Sequence, residues 1–208
     1  MIEEVRAFVA VNLDLRTTRR VADLQRRVHE TLGPRSQQLR WVPPANMHVT
    51  LKFLGAIEAQ LAGAIRDALR PTAAATRTIR VRARGLGAFP DAASPRVLWV
   101  GAESEAGALE ALAAAVDLAL VGIGLAREKR KFHAHLTLAR VKDPAGLALA
   151  STFEQIGPAD CGDGTVGELV VYRSDTKPGG AEYEALARIP LAPRGPEGAG
   201  GSRGVPTR

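Results

Sequence analysis

The chain has 208 residues, 46% of them hydrophobic, which suits one large domain or two small lobes that share a core. No apolar run approaches the ~20 residues that a membrane-spanning helix needs, and the acidic start of the chain does not fit a secretory signal. The net charge of +6 permits an anionic partner, and the single cysteine, Cys161, has no partner for an internal disulfide. We therefore expect a soluble, cytoplasmic protein.

Strands and helices are interleaved along the chain. Alternating or short apolar runs predict strands, and apolar spacing near 3.6 predicts helices that end at Gly or Pro. In chain order the predicted elements are a strand at 5–13, a helix at 17–33 with a Thr cap, strands at 39–42 and 47–54, a helix at 58–70 closed by Pro71, strands at 76–89 and 95–101, a helix at 104–124, a strand at 131–141, a helix at 144–157, and strands at 167–174 and 182–191.

Several predicted strands follow one another directly, without a helix between them. This order favours an α+β fold with a mixed, largely antiparallel sheet and helices outside it, rather than a regular βαβ repeat. The last segment, PRGPEGAGGSRGVPTR, has no apolar periodicity. Residues 193–208 are therefore predicted to be a disordered tail, and residues 1–192 a single domain.

The motif His-x-Thr-Leu occurs twice, at residues 48–51 and 135–138, in a chain that has only four histidines. Each copy lies in a predicted strand, where residues two apart point the same way, so one imidazole and one hydroxyl share a face. One copy alone would also suit a structural histidine bonded to its neighbouring threonine. Two matched copies favour a shared site if the two strands lie near each other.

Strict alternation along the first motif strand also assigns its neighbours to faces. It predicts that Lys52 shares the face of His48 and Thr50, where it is a candidate contact at the rim of a cleft. It predicts that Phe53 points into the core.

Two imidazoles and two hydroxyls match the needs of phosphodiester chemistry. Histidine titrates near neutrality, so one neutral imidazole can accept a proton from a nucleophile while the other, protonated, donates one to the leaving oxygen. Threonine hydroxyls can donate hydrogen bonds to the phosphate oxygens. This arrangement does not require a metal.

Segments around the two motifs also match a known family. They are RAFVAV near the start, LKFLG after the first motif, GLGAFPDAASPRVLWVG at 85–101, HLTLAR at 135–140 and VVYRSDTKPGGAEYEALARIPL at 170–191. Over about residues 5–191, the chain resembles the two-histidine phosphoesterase superfamily, and within it the LigT-like RNA 2′,3′-cyclic phosphodiesterases.

The resemblance implies a fold of two similar lobes around a central cleft. A monomer without cofactors is the default expectation. The resemblance also implies hydrolysis of an RNA-terminal 2′,3′-cyclic phosphate, for example on tRNA fragments, to a 2′-phosphomonoester, and reversible 2′–5′ RNA ligation in some relatives. It implies that His48 is the proton donor, that His135 is the proton acceptor, and that Thr50 and Thr137 contact the phosphate.

Two positions depart from the family pattern or strain it. Ala134 stands where the family commonly has Pro before the second histidine, which removes a rigid backbone constraint but not a chemical group. Arg140 matches an arginine that implies a phosphate contact. Strict alternation places Arg140 opposite His135 and Thr137, so it reaches the cleft only if the strand twists or bulges.

A metal-dependent phosphoesterase is the first alternative. His133 and His135 form a His-x-His pair which, together with His48, could supply three nitrogens to zinc. No Asp or Glu stands beside the motifs to complete such a site, and a metal site leaves the threonines unexplained.

A non-catalytic RNA-binding protein is the second alternative. Lys52, the basic residues at 129–131 and the arginines at 77–84 could follow a phosphate backbone. Aromatic residues make up only 4% of the chain, which argues against a surface for base stacking.

Overall fold

The structure is a computed structural model and describes residues 3–177 and 180–194. Within those ranges, no helix is both long and apolar enough to cross a membrane. In chain order the strands and α-helices are β1 (Glu4–Val11), α1 (Leu15–Leu32), β2 (Leu39–Trp41), β3 (Val49–Glu58), α2 (Leu61–Ala75), β4 (Ile79–Phe89), β5 (Val97–Ser104), α3 (Ala108–Val121), β6 (His135–Val141), α4 (Ala150–Ile156), β7 (Asp160–Val166), β8 (Glu168–Lys177) and β9 (Gly180–Pro190).

The strands form two sheets in which the paired neighbours are all antiparallel. One sheet has the order β3-β1-β8-β9, and the other has the order β2-β6-β5-β4-β7. Helices α2 and α3 pack on the first sheet, and α1 packs on the second with α4 beside it. The α+β fold of two similar lobes is therefore confirmed.

The apolar faces of the helices supply much of the core between these layers. In α1 the buried residues Val21, Leu24, Val28 and Leu32 recur at intervals of three and four, so they form one stripe along the helix. The helix begins at Asp14, whose side chain accepts a hydrogen bond from the backbone N–H of Thr17. The predicted Thr cap is therefore wrong by one turn, since a carboxylate takes the capping role.

The predicted end of α2 before Pro71 is also wrong, because the helix continues through Pro71 to Ala75. Proline removes one intrahelical hydrogen bond, but Pro71 lies on the exposed side of α2. The buried stripe of Ile65, Leu69 and Ala73 runs past it at intervals of four. Packing against the sheet therefore carries the helix beyond its local stop signal.

Strand β7 was not predicted from the sequence. Its sequence, DCGDGTV, is rich in Gly and Asp, which are depleted in strands. It pairs with β4 at the edge of the second sheet, and a Cβ added to Gly164 would lie 2.5 Å from the Thr17 hydroxyl on α1. The close approach of α1 favours glycine here, a tertiary requirement that strand preferences do not reveal.

The predicted tail beyond residue 192 lies mostly outside the described residues. Arg194 is the last residue described, and its Nε donates a 2.7 Å hydrogen bond to the carbonyl of Thr78. Arg194 therefore contacts the segment just before β4, and the predicted tail otherwise stays a prediction.

Candidate active site

The two motif strands lie in different sheets and contact each other. β2 pairs with β6 in the second sheet, and the chain then passes through a short 3-10 turn, Pro44–Asn46, to become β3 at the edge of the first sheet. This crossing places β3 beside β6. The structure thereby brings the His-x-Thr motifs from the two halves of the chain to one place.

His48 lies just before β3 and is held at both ring nitrogens. Its Nδ1 lies 2.8 Å from the carbonyl oxygen of Asn46, and its Nε2 lies 3.0 Å from the Thr50 hydroxyl. A carbonyl oxygen only accepts, so Nδ1 carries the proton and Nε2 accepts from Thr50. The Asn46 side chain donates in turn to the carbonyl of Ala181 on β9, which anchors the turn that orients the imidazole.

His135 repeats this arrangement at the start of β6. Its Nδ1 lies 2.6 Å from the carbonyl oxygen of His133, which again assigns the proton to Nδ1. In both copies, the acceptor is the carbonyl two residues before the histidine. The local backbone therefore fixes the same tautomer twice and leaves Nε2 as the basic nitrogen.

Both imidazoles favour the neutral form in the free chain. Burial lowers the pKa of His48 from 6.5 to about 4, and the charges of Arg140 and His135 act in the same direction. Burial also lowers the pKa of His135, helped by the charges of His133 and Arg140. Removal from water disfavours the imidazolium, so both rings are neutral at pH 7 before a ligand binds.

A β-bulge in β6 turns Arg140 to the face of the histidine. On the neighbouring β5, Trp99 pairs with Thr137 and Leu98 pairs with Ala139, so Leu138 has no partner there. The buried residues Leu138 and Ala139 are consecutive, which shifts the alternation by one residue. The bulge that Arg140 needs in order to reach the site is therefore present. The charge of Arg140 acts on both imidazoles.

A corresponding bulge in β3 overturns the predicted faces after the first motif. Across β1, Ala10 pairs with Thr50 and Val9 pairs with Lys52, so Leu51 is the extra residue. Lys52 is only 2% exposed and does not line the cleft, whereas Phe53 is 51% exposed. The predicted positions of Lys52 and Phe53 are therefore both wrong, because the bulge exchanges their faces.

Lys52 instead anchors the loop between α3 and β6. Its ammonium forms an ion pair with Asp117 of α3 and donates a 2.6 Å hydrogen bond to the carbonyl of Ala126. Asp117 also accepts from the backbone N–H of Glu128. This loop carries exposed basic residues, of which Arg130 lies over the Phe53 ring at 5.5 Å.

Aromatic rings surround both histidines, although the chain has only nine Phe, Trp and Tyr residues. His48 stacks on Phe8 at 4.7 Å between ring centroids and contacts the rings of Tyr172 and Tyr183. Around His135, the Phe89 ring makes an edge-on contact at 5.0 Å and the Trp99 ring lies tilted at 6.1 Å. Two apolar surroundings of this kind account for the burial that lowers both pKa values.

Trp99 of β5 contacts the rings of both His133 and His135. It lies flat across Gly87 of β4, where an added Cβ would come within 2.2 Å of the indole. Trp99 is the cross-strand partner of Thr137, so both side chains lie on the same face of the sheet. The sequence could not place Trp99 at the site, because it does not show that β5 pairs with β6.

The three histidines of the metal alternative do not form a metal site. Among residues 3–177 and 180–194, no group of three or more His, Cys, Asp or Glu side chains is placed to hold an ion. The rings of His133 and His135 lie 5.9 Å apart, and His133 is exposed beside Trp99 and Phe89. His133 thus belongs to the aromatic edge of the site.

A family model for LigT-like phosphoesterases matches the chain twice, over residues 14–99 and 100–183. The chain belongs to the LigT-like phosphoesterase family. Each match contains one His-x-Thr motif, so the repeat seen in the motifs extends through both halves of this family member.

Named relatives and a solved structure agree with the family. The chain is 32% identical to the RNA 2′,3′-cyclic phosphodiesterase of Methanothermobacter thermautotrophicus over 181 residues, which cover 86% of this chain and 95% of the relative. It is 31% identical to the protein of the same name from Aeropyrum pernix over 170 residues, 81% of this chain and 96% of the relative. The crystal structure of TT0787 of Thermus thermophilus superimposes with a TM-score of 0.74 at 27% identity, covering 91% of this LigT-like chain and all of TT0787.

Proposed function

We propose that this LigT-like protein hydrolyses 2′,3′-cyclic phosphate ends of RNA to 2′-phosphomonoesters without a metal. The observation that carries the proposal is the matched pair of imidazoles, each with Nδ1–H bonded to a backbone carbonyl and Nε2 as the basic nitrogen. Two relatives that align along most of their length are named RNA 2′,3′-cyclic phosphodiesterase. Every proposed group comes from one chain, so the reaction needs no second subunit.

In the proposed reaction, a water molecule attacks the phosphorus in line with the bond to the 3′ oxygen. His135 accepts the proton of the water through Nε2 as the new P–O bond forms. The bond between phosphorus and the 3′ oxygen breaks, and His48 donates the proton on its Nε2 to that oxygen. The ring opens, and the phosphate remains on the 2′ oxygen.

Three side chains are proposed to hold the phosphate between the imidazoles. The hydroxyls of Thr50 and Thr137 donate to its non-bridging oxygens, and the guanidinium of Arg140 offsets its negative charge. In the free chain the Thr50 hydroxyl donates to Nε2 of His48. Protonation of that nitrogen ends this bond and releases Thr50 for the phosphate.

His48 is proposed to take up its proton from solvent when the substrate binds. In the free chain the pKa of His48 is about 4, so its Nε2 carries no proton to donate at neutral pH. A bound phosphodiester brings negative charge next to the ring and raises that pKa, while it also offsets the charge of Arg140. If a 5′ hydroxyl takes the place of the attacking water, the same groups join it to the phosphorus as the bond to the 3′ oxygen breaks, and this reversible step is the proposed basis for 2′–5′ ligation.

The direct test uses a nucleoside 2′,3′-cyclic phosphate with and without a chelator. We expect turnover in both cases and a product that carries a 2′-phosphate. A 3′-phosphate product would contradict the proposed direction of ring opening, and loss of turnover with the chelator would contradict metal independence. Binding without turnover by the wild-type chain would support the RNA-binding alternative.

A further inference from the structure

Strand β2 places a second arginine directly beside the arginine of the site. In the antiparallel pair of β2 and β6, Arg40 is the register partner of Arg140. Residues that face each other in such a pair lie on the same side of the sheet, with Cβ atoms about 4.5–5.5 Å apart. The bulge that turns Arg140 to the site therefore gives Arg40 the same direction.

The neighbours of Arg40 confirm which side this is. Leu39 is buried, and the Trp41 ring lies 5.2 Å from His29 of α1. Both neighbours in the strand therefore face the helix layer behind the second sheet. Because side chains alternate along a strand, Arg40 points away from α1 and towards the cleft side.

Neither arginine is neutralised within residues 3–177 and 180–194. Both are exposed, and neither forms an ion pair or a side-chain hydrogen bond with any residue in the described part of the chain. Other exposed arginines of the same sheet do find carboxylates, as in the pairs Arg82–Asp160 and Arg84–Glu103. Like charges directly opposite in a sheet are destabilising, so this pair is suited to anions that come from outside the chain.

We propose that Arg40 binds the internucleotide phosphate on the 5′ side of the terminal nucleotide, while Arg140 binds the cyclic phosphate. This inference rests on the proposed function and names its substrate class as an RNA of two or more nucleotides. A guanidinium is suited to phosphate recognition, and two adjacent flexible arginines can engage successive phosphates of one strand. A mononucleotide lacks the second phosphate and leaves Arg40 unused.

The test compares a dinucleotide that ends in a 2′,3′-cyclic phosphate with the matching nucleoside 2′,3′-cyclic phosphate. For Arg40→Gln, we expect KM for the dinucleotide to rise about tenfold and KM for the mononucleotide to stay unchanged. The slope of log KM against log salt should fall by about 0.7 for the dinucleotide alone. Arg40→Lys should recover part of the loss because it keeps the charge.

The matched control is Arg19→Gln, which removes the same charge from the exposed side of α1. It should leave both KM values and the salt slope as in the wild-type chain. An equal rise of KM for both substrates in Arg40→Gln, or no rise for either, would overturn the role of Arg40. Neither result affects the proposed function, which is tested on the wild-type chain: it fails if that chain hydrolyses neither substrate, and its details fail if the product is a 3′-phosphate or if a chelator stops turnover.

Discussion

Gln25 of α1 donates a hydrogen bond of 2.8 Å from Nε2 to the carbonyl oxygen of Leu138, the bulged residue of β6. The same amide donates to the carbonyl of Val42, and the backbone N–H of Val42 also reaches the Leu138 carbonyl. A helix from the first half of the chain thus holds the bulge that turns Arg140 towards the two imidazoles.

Gln25→Ala should therefore weaken substrate binding although Gln25 is outside the proposed set of reacting groups. Loss of its bond relaxes the bulge and the direction of Arg140, so we expect KM to rise about fivefold with kcat less affected. Steady-state kinetics with a 2′,3′-cyclic phosphate measures both. Gln37→Ala removes an exposed amide from the turn that follows α1 and serves as the control. An unchanged KM would show that the bulge holds without Gln25.

Replacing either proposed catalytic histidine should remove most of the activity. His48→Ala or His135→Ala should lower kcat by about 10²-fold or more, the usual share of general acid–base catalysis. His29→Ala is the matched control, because His29 lies on α1 against Trp41 and away from both motifs. If kcat of His29→Ala falls as far as kcat of the other two variants, the losses reflect impaired folding and not the loss of a catalytic group.

The pH dependence should follow the lowered pKa values of the free chain. The donor must be protonated and the acceptor neutral, and the pKa values of both histidines lie below 6.5. The protonated fraction of the donor falls as pH rises, so kcat/KM should be greatest below pH 6.5. Because bound phosphate raises the donor pKa, the maximum of kcat should lie at higher pH. A maximum of kcat/KM on the alkaline side of neutrality would contradict this.

Arg140→Gln should change both binding and the pH profile. The charge of Arg140 lowers the pKa values of His48 and His135, so its removal should move the maximum of kcat/KM to higher pH. It should also raise KM, since one charge-assisted contact to the phosphate is lost. A higher KM with no displacement of the pH maximum would mean that Arg140 does not act on the imidazoles.

Lys52→Met should lower stability without removing a group from the cleft. It leaves the Ala126 carbonyl without its donor and Asp117 with only the exposed Arg127 as a cation, which should cost about 1–3 kcal/mol in the free energy of unfolding. Urea denaturation of wild type and variant measures this difference. Lys177→Met breaks an exposed pair with Glu182 and should have little effect. An equally small effect in both variants would argue against the anchoring role of Lys52.

The sequence predicts most of the fold because its signals are local. Apolar periodicity locates the main helices, and the repeated motif identifies both histidines with their threonines. The two bulges depend on tertiary contacts. Gln25 of α1 bonds the bulged residue of β6, and Asp117 of α3 pairs with Lys52, which follows the bulged residue of β3. Alternation alone therefore misplaces Lys52 and Phe53 and leaves Arg140 undecided. The aromatic surroundings were missed for a similar reason, since they are assembled from strands far apart in the chain.

The exchange of elements between the two sheets has a consequence for how the protein can be divided. Each sheet takes strands from both halves of the chain. Helix α1 follows β1 of the first sheet but packs on the second sheet, and α3 follows β5 of the second sheet but packs on the first. A cut between β4 and β5 would leave two fragments, neither of which contains a complete sheet or a complete pair of motifs. Such fragments should acquire structure only when mixed, and the intact chain should melt in a single transition.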